Sequence, residues 1–287
     1  MRSLMFVPGD DERKIAKGLG SEADALILDL EDAVAPTRKD AARAITAGAL
    51  QTAGGGKRII VRVNAFDTGH TLSDLAAVVR ARPWGIMLPK CRGGDDVRLL
   101  GHYLDALETR EDIAQGATRI LAVATESSQS MFGLGTYAGL ARLRGLLWGG
   151  EDLAADIGAV ANRDAGGRYT APFELARSLT VHGAAAAGVD AIDAVYTNFR
   201  DTAGLAAEAA AALRDGFTAK AAIHPDQIGP INAAFTPSTA DVAWARRIVA
   251  AFDDTPGLGV ISLDGKMIDR PHYRSATRVL ARAQPTA

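Results

Sequence analysis

Eight short apolar segments that resemble β-strands alternate with Ala- and Leu-rich segments of helical composition, and this alternation constrains the fold more than any other feature. The eight segments are SLMFVP (3–8), ALILDL (25–30), RIIVRVN (58–64), WGIMLPK (84–90), RILAVATE (119–126), GLLWGG (145–150), AIDAVYT (191–197) and AKAAIHP (219–225). Strands that alternate with helices predict a parallel sheet, and strands that are apolar at nearly every position are typical of sheets covered on both faces. Eight such units match the size of a (β/α)8 TIM barrel.

An open, doubly wound sheet is the main alternative to the barrel. A dinucleotide-binding version of it needs a G-x-G-x-x-G turn between a strand and a helix. The segment GLGTYAG at 133–139 fails this spacing, because its third glycine comes one position late. We therefore predict the α/β class, with a (β/α)8 barrel over residues 1–225. Residues 226–287 contain a predicted helix around 239–253 and further apolar positions to bury, so they predict an ordered C-terminal, lid-like extension.

The composition excludes several classes of protein. Of the 287 residues, 48% are hydrophobic and 23% are charged, and the net charge of −2 with no basic stripe argues against nucleic acid as a partner. Cys91 is the only cysteine, so the chain forms no internal disulfide and no cysteine-based zinc site, and a single small thiol is typical of packing. The apolar stretches are too short for a signal peptide or a membrane helix. We expect a soluble, cytoplasmic protein with no membrane partner.

Polar residues and glycines follow almost every predicted strand. They are Gly9, Asp29, Glu31, Asp32, Arg62, Asn64, Lys90, Glu126, Gly149, Gly150, Asp152 and His224. Since the chemistry of such barrels lies at the carboxyl ends of the strands, we expect these residues to share one mouth. Carboxylates crowded there repel one another unless cations neutralise them, and oxygen ligands suit Mg²⁺. With Arg62 as a bidentate donor to a substrate carboxylate, the set predicts metal-assisted chemistry on a small oxo or hydroxy acid.

Each of these residues also has a purely structural interpretation. Arg62 and Lys90 could be structural ion-pair partners of Glu31 and Asp32. A carboxylate that follows a strand could instead cap the next helix, and a histidine before a proline is often a loop residue; these alternatives apply to Glu126, Asp152 and His224. The functional interpretation depends on their convergence at one mouth.

Eight motifs, in this order, resemble the citrate lyase β-subunit-like (HpcH/HpaI aldolase) family from residue 2 to about 280. They are RSLMFVPG, ALILDLEDAV, VRVN, IMLPK, AVATESSQSMFG, WGGEDLAADIG, KAAIHPDQI and GKMIDRP. The resemblance implies a Mg²⁺-dependent carbon–carbon lyase that acts on a 3-hydroxyacyl-CoA ester such as malyl-CoA or citramalyl-CoA. Its products would be an acyl-CoA and a 2-oxo acid of the glyoxylate, pyruvate or oxaloacetate type. The alternatives are a malyl-CoA thioesterase, a citrate lyase β subunit that acts on an acyl carrier protein, and a non-catalytic metabolite-binding barrel.

The same resemblance implies a role for each residue of the mouth. Glu126 of ATES and Asp152 of GGEDL would be the two metal ligands. Arg62 of VRVN would grip the oxo-acid carboxylate and take part in catalysis. The remaining implied residues are Lys90 of LPK as a further catalytic group, and Glu31 and Asp32 of LEDA, which would lie near the metal's waters and, with Glu126, against the substrate.

The C-terminal segment would supply a further catalytic residue. In the family it covers a neighbouring subunit's barrel, so the resemblance implies a homotrimer or homohexamer. Asp269 of GKMIDRP would be the acid/base, with Asp264 of SLDGK as second choice; the structural alternative for Asp269 is a turn-stabilising aspartate. Cations near the mouth would meet the CoA phosphates, and we expect them among Arg2, Arg13 and Lys14.

Overall fold

The structure is a computed structural model that describes residues 1–53 and 56–283. Eight parallel strands pair in chain order and close into a barrel, so the predicted (β/α)8 fold is confirmed. The strands are β1 (Ser3–Pro8), β2 (Ala25–Asp29), β3 (Arg58–Arg62), β4 (Gly85–Leu88), β5 (Arg119–Val123), β6 (Leu143–Leu147), β7 (Asp190–Asp193) and β8 (Ala219–Ala222). Each lies within or overlaps one of the eight predicted segments.

Eight helices connect successive strands of the barrel, and a ninth follows β8. They are α1 (Glu12–Leu19), α2 (Lys39–Thr52), α3 (Thr71–Val78), α4 (Gly94–Arg110), α5 (Ser128–Met131), α6 (Glu151–Asp156), α7 (Ala171–Ala187), α8 (Thr202–Asp215) and α9 (Ile228–Phe235). Within the described ranges, no helix is both long enough and apolar enough to span a membrane.

The barrel interior is filled by the inward side chains of alternate strand positions. Its core cluster consists of Leu4, Ala25, Ile27, Ile60, Met87, Leu121, Val123, Leu147, Ile192, Ala219 and Ala221. Because successive side chains of a strand point to opposite faces, the inward rows of β2 and β3 continue from Ile27 to Asp29 and from Ile60 to Arg62. These two residues are register partners on adjacent strands. The apolar core therefore ends, at the carboxyl end of the barrel, in an acid beside a base.

The chain divides into two compact units, Met1–Asn232 and Ala233–Ala287. The second unit contains α10 (Thr239–Asp253), the antiparallel hairpin of β9 (Val260–Leu263) and β10 (Lys266–Asp269), and α11 (Arg270–Ala283). It has a small core of its own, made by Ala245, Ile248, Phe252, Ile268 and Ala276. The helix expected around 239–253 is α10.

A buried cluster of charges lies between the barrel wall and α8. Lys220 alternates with the inward Ala219 and Ala221, so its side chain points outward, where it is completely buried. Its Nζ donates to Oδ2 of Asp193 at 2.6 Å, to the carbonyl of Ala194 at 2.7 Å and to Oε1 of Glu208 at 2.9 Å. All three donors of the ammonium are thus used, which is the condition under which a buried charge is tolerated.

Lys220→Met should destabilise the barrel, because it leaves the carboxylates of Asp193 and Glu208 without their shared cation. We expect a loss of about 3 kcal/mol in the free energy of unfolding, measured by urea denaturation. Lys14→Met is the control, since Lys14 forms an exposed ion pair with Asp11 at 3.3 Å and should change the free energy of unfolding by less than about 1 kcal/mol. Equal, small losses in both variants would contradict the structural role of Lys220.

Candidate active site at the barrel mouth

A cavity of about 380 Å³ opens at the carboxyl ends of the strands. The charged residues of its wall lie at or after the carboxyl ends of β2, β3, β5 and β6, and they are Asp29, Asp32, Arg62, Glu126, Glu151 and Asp152. The apolar residues lie in or shortly after β1, β6, β7 and β8, and they are Phe6, Leu147, Trp148, Ala194, Val195 and Ile223. The cavity therefore has a charged side and an apolar side, and its volume is typical of a small-molecule site.

Arg62 is held in the floor of the cavity by Asp29. Its Nε and Nη2 donate to the two carboxylate oxygens of Asp29 at 2.8 and 2.7 Å, and its guanidinium lies over the ring of Phe6 at 4.9 Å. Burial alone would lower the pKa of Arg62, but the bond to Asp29 raises it well above its ordinary value. The Nε–Nη2 edge of the guanidinium is therefore occupied by Asp29. The edge formed by Nη1 and Nη2 is the one that a ligand could meet.

Glu31 lies between the two cations of the mouth. Its Oε1 accepts a hydrogen bond from Nζ of Lys90 at 2.6 Å, and its Oε2 lies 3.2 Å from Nη1 of Arg62. Burial raises the pKa of Glu31, while Arg62 and Lys90 oppose that shift. Lys90 also lies 3.7 Å from the more exposed Asp32. The ion pairs considered as a structural alternative therefore exist, although the strongest partner of Arg62 is Asp29.

Glu126 is almost completely buried beside Lys90 and Gly149. The backbone N–H of Lys90 donates to its Oε2 at 2.5 Å, and a side chain on Gly149 would place a Cβ 2.9 Å from its Cγ. Burial raises the pKa of Glu126 to about 8, and the nearby Glu31 and Asp152 act in the same direction. Helix α5 is capped by Ser127, so Glu126 is not a helix cap.

Asp152 is the second residue of α6, whose N-cap is Gly150, so the capping alternative fails here as well. Its carboxylate is partly exposed and lies 3.8 Å from Nζ of Lys90. Burial lowers the pKa of Lys90, but its bond to Glu31 and the charges of Glu31, Asp32 and Asp152 outweigh that effect and raise it.

The carboxylate oxygens of the charged side suit a hard cation that takes few ligands from the protein. Within residues 1–53 and 56–283, no group of three or more His, Cys, Asp or Glu side chains is arranged to hold a metal. Mg²⁺ does not need one, because it commonly binds one or two carboxylates and keeps waters or substrate oxygens. In the same ranges, Oε2 of Glu31 is the buried side-chain oxygen that accepts no hydrogen bond. Glu126 and Asp152 can supply two carboxylates, and Glu31 an acceptor for a metal-bound water.

Lys39 supports the mouth from behind and could not be identified from the sequence. Its Nζ donates to the carbonyls of Leu30 and Glu31 and to Oδ1 of Asn64, each at 2.7 Å. Asn64 in turn donates to Oδ2 of the buried Asp74. The predicted rim residue Asn64 is therefore part of the scaffold that holds the loop of Glu31. The pairing of Asp29 with Arg62 did have a signal, because each is the fifth residue of its predicted segment, 25–30 or 58–64.

Two other candidates from the sequence are structural. His224 accepts a hydrogen bond from the backbone N–H of Asp226 at 3.2 Å and stacks on Phe199, as expected of a loop histidine. Cys91 is buried, where its Sγ accepts a hydrogen bond from the hydroxyl of Tyr137 at 3.4 Å. Burial raises the pKa of the Cys91 thiol to about 11, so it is an inert packing residue.

The cations expected near the mouth separate into two groups. Arg2 precedes β1, so it lies at the amino end of the barrel, opposite the cavity, and its Nη2 pairs with Oδ1 of Asp24 at 2.7 Å. The expectation that Arg2 meets CoA phosphates is therefore wrong. Arg13 and Lys14 lie exposed in the first turn of α1, which follows the carboxyl end of β1.

In the second unit, the two candidate acids have different partners. Both oxygens of Asp264 accept hydrogen bonds from Arg247, at 2.7 and 2.6 Å. Asp269, at the end of β10, lies with its Oδ1 2.5 Å from Nδ1 of His272. The bond to His272 lowers the pKa of Asp269. Asp264 is thus engaged by an ion pair through both oxygens, whereas Asp269 keeps Oδ2 for another partner.

Comparison with known proteins gives two family matches. Residues 2–225 match the model of the HpcH/HpaI aldolase/citrate lyase family. Residues 174–285 match the model described as a C–C bond lyase of the TIM-barrel fold. Together the two matches cover the barrel and the described part of the second unit.

Individual proteins are similar over nearly the whole chain. A (3S)-malyl-CoA thioesterase of Cereibacter sphaeroides is 35% identical, with 100% of this chain and 95% of the relative covered. The mitochondrial citramalyl-CoA lyase of Mus musculus is 35% identical over 98% of this chain and 86% of its own length. The crystal structure of protein CitE from Mycobacterium tuberculosis, in complex with magnesium, acetoacetate and coenzyme A, is similar with a TM-score of 0.77 and 32% identity, covering 98% of this chain and 97% of that one.

The raised pKa of Glu126 predicts that Mg²⁺ binding depends on pH. A carboxyl with a pKa of about 8 is mostly protonated at neutral pH and must lose its proton to bind a metal. The apparent Mg²⁺ affinity should therefore rise roughly tenfold per pH unit from pH 6 towards 8, with release of one proton. Isothermal titration calorimetry in two buffers of different ionisation enthalpy measures both quantities. Affinity that is constant over this pH range would contradict the protonated state of Glu126.

Proposed function

Because the chain belongs to the HpcH/HpaI aldolase/citrate lyase family, we propose that it is a Mg²⁺-dependent carbon–carbon lyase that acts on a 3-hydroxyacyl-CoA ester. Malyl-CoA and citramalyl-CoA are the substrates of this type, and the products are an acyl-CoA and a 2-oxo acid. The observation that carries the proposal is the two-sided cavity, in which Arg62, Glu126 and Asp152 face an apolar wall. Such a substrate has a matching division into a charged oxo-acid part and a neutral thioester part.

The charged side would bind the oxo-acid part of the substrate. Asp29 fixes the guanidinium of Arg62, so its Nη1–Nη2 edge is presented without further ordering of the side chain. That edge can donate two hydrogen bonds to the substrate carboxylate. Lys90 and Glu31 lie beside it, where Lys90 offsets the negative charge of the acids around the substrate.

Glu126 and Asp152 would hold Mg²⁺, with Glu31 and Asp32 close to its water ligands and to the substrate. When bound, the ion acts as a Lewis acid that stabilises charge on the oxo oxygen of the substrate. The protein's own contribution is to keep the two carboxylates in place. Glu126 is held by the N–H of Lys90 and by contact with Gly149.

The apolar side would receive the acyl part of the thioester. Ala194, Val195 and Ile223 follow β7 and β8 and place no charge against it. In cleavage, the hydroxyl proton is removed, the carbon–carbon bond breaks, and its electron pair passes to the thioester α-carbon. An acid must then protonate that carbon, and in the reverse direction the same group removes the proton.

We assign this proton transfer to Asp269, contributed by a neighbouring subunit of a homotrimer or homohexamer. Support comes from the free Oδ2 of Asp269 and from the full engagement of Asp264 by Arg247. An acid/base on a separate unit lets the mouth admit a large CoA ester before the acid meets its α-carbon. Arg13 and Lys14 remain the candidates for its phosphates.

A thioesterase is the second candidate function, because a 35% identical relative is a (3S)-malyl-CoA thioesterase. The same charged side would bind the malyl carboxylate, and water would attack the thioester carbonyl. Incubation with Mg²⁺ and a panel of 3-hydroxydicarboxylyl-CoA esters separates the two reactions. Equal amounts of acyl-CoA and 2-oxo acid identify the lyase, whereas free CoA without oxo acid identifies the thioesterase. No turnover with any ester would contradict both and favour a non-catalytic barrel.

Glu126→Ala and Asp152→Ala should each abolish turnover and weaken Mg²⁺ binding, because each removes one of two protein carboxylates from the ion. Mg²⁺ affinity is measured by calorimetry and turnover by the product assay. Glu151→Gln is the matched control, since Glu151 adjoins Asp152 in α6 but its Oε1 accepts a hydrogen bond from Asn162 at 2.9 Å. A near-normal Mg²⁺ affinity in either alanine variant would rule out that residue as a ligand.

Asp269→Asn should reduce kcat by about 10²-fold or more and leave Mg²⁺ affinity unchanged, as expected for loss of a general acid/base. Mixing the inactive Asp269→Asn and Glu126→Ala chains, followed by subunit exchange, tests whether the site is shared. A site built from two subunits regains activity, with about a quarter of all sites complete after random exchange of equal amounts of the two chains. Absence of complementation in verified mixed oligomers would contradict the shared site, and wild-type rates in Asp269→Asn would contradict the assignment of the acid/base.

A further inference from the structure

Hydrogen bonds join the segment after β5 to the segment after β6. One set is made by a residue before Glu126 in the sequence, and the other by a residue after it. On the inner side, the hydroxyl of the buried Thr125 accepts from the N–H of Gly149 at 2.9 Å and donates to its carbonyl at 3.3 Å. On the outer side, the N–H and the hydroxyl of Ser128 both donate to Oδ2 of Asp156 at 2.6 Å. We refer to the pair of Ser128 and Asp156 as the outer clasp.

The outer clasp is aligned with the two carboxylates of the charged side. Ser128 follows Glu126 by two residues, and Asp156 follows Asp152 by four. Residues four apart lie on the same face of a helix, so Asp152 and Asp156 project from the same side of α6. The inner bonds of Thr125 hold the chain just before α6, and the outer clasp holds its last residue. Asp152 lies between these two points, so its backbone is held relative to the chain around Glu126 while both sets of bonds persist.

The position of α6 matters more for Mg²⁺ than for a larger ion such as Ca²⁺, because Mg²⁺ requires a nearly ideal octahedral arrangement of its ligands. The barrel register does not fix this position, since both carboxylates follow the ends of their strands. Asp156 is itself exposed, and the two bonds from Ser128 lower its pKa, so it stays charged at neutral pH.

We propose that Asp156, through its two hydrogen bonds with Ser128, is a positioning residue that sets the separation of Glu126 and Asp152 for Mg²⁺. This inference rests on the proposed function of these two carboxylates as the metal ligands. Asp156 does not touch the ion; it acts through α6.

The test is calorimetric titration of the full-length protein with Mg²⁺ alone, so that the readout does not depend on turnover. Asp156→Ala removes both bonds and should weaken Mg²⁺ binding by about fivefold to tenfold, the effect expected for loss of charge-assisted hydrogen bonds. Ser128→Ala removes only the hydroxyl donor and should weaken binding by about twofold to threefold. At saturating Mg²⁺, kcat should be close to wild type in both variants.

Asp156→Asn separates the hydrogen bonds from the charge, because its carbonyl oxygen can still accept from Ser128. It should bind Mg²⁺ within about twofold of the wild type. If Asp156→Asn is as weak as Asp156→Ala, the residue acts through long-range charge and the clasp is refuted.

The second unit offers a matched control. In Ser238 and Asp241, a serine N–H and hydroxyl likewise donate to one Oδ2, at 3.2 and 2.6 Å. Asp241→Ala should therefore leave Mg²⁺ affinity unchanged. A wild-type Mg²⁺ affinity in Asp156→Ala would overturn the clasp alone, provided that Glu126→Ala still loses binding. Retention of Mg²⁺ binding by Glu126→Ala would overturn the metal assignment itself, and the clasp with it.

Discussion

The ion pair between Asp29 and Arg62 determines how the other charges of the barrel mouth are arranged. Both residues continue the inward rows of adjacent strands, so the barrel register places them side by side above the apolar core. Asp29 takes the Nε–Nη2 edge of the guanidinium, which leaves Nη1 beside Glu31. Glu31 then needs a second cation, and Lys90 provides it. Glu126, the buried acid farther along the mouth, accepts a hydrogen bond from the backbone N–H of Lys90, but burial outweighs that bond and raises the pKa of Glu126. The pKa values of Arg62 and Lys90 also rise, because the acids paired with them outweigh the effect of burial.

Lys90 donates hydrogen bonds to two acids from an unusual backbone conformation. Its φ of 49° lies in the left-handed region, which a residue with a side chain adopts at a cost of about 1–2 kcal/mol. In this conformation its N–H donates to Glu126 while its Nζ reaches Glu31. Charge-assisted hydrogen bonds of this kind are strong enough to offset that cost. Strained backbone conformations are often found at functional sites. Here the strained conformation accompanies hydrogen bonds from the backbone N–H and the side-chain Nζ of Lys90 to two different carboxylates.

The sequence predicts those features of the fold that depend on short runs of neighbouring residues. Buried parallel strands are short apolar runs, so the eight strands and the barrel could be predicted, and the polar residues that follow them identified the mouth. The pair of Asp29 and Arg62 could also have been found by aligning the starts of the predicted segments 25–30 and 58–64. Contacts made by packing left no such signal. In the sequence, Lys39 looks like an exposed residue at the start of a helix, and Lys220 is one residue of an Ala-rich strand. Gly149 is part of a common turn sequence, so none of the three stands out. The error over Arg2 is avoidable from the sequence, because a residue that precedes a strand of the barrel lies at the amino end of that strand, away from the mouth.

In the proposed mechanism, the residues that bind the substrate and the residue that transfers the proton lie in different units. Arg62, Lys90, Glu126 and Asp152 lie in the barrel unit, where strand register and loop-to-loop hydrogen bonds fix them. Asp269 lies in a small unit with its own core, and within residues 1–53 and 56–283 its carboxylate pairs with His272. A lyase and a thioesterase can share the first set of residues, because both must bind the same charged end of the same ester. They differ in whether the α-carbon is protonated or the thioester carbonyl is attacked by water. Divergence between the two reactions is therefore expected at the apolar wall and in the second unit, while the charged side stays the same.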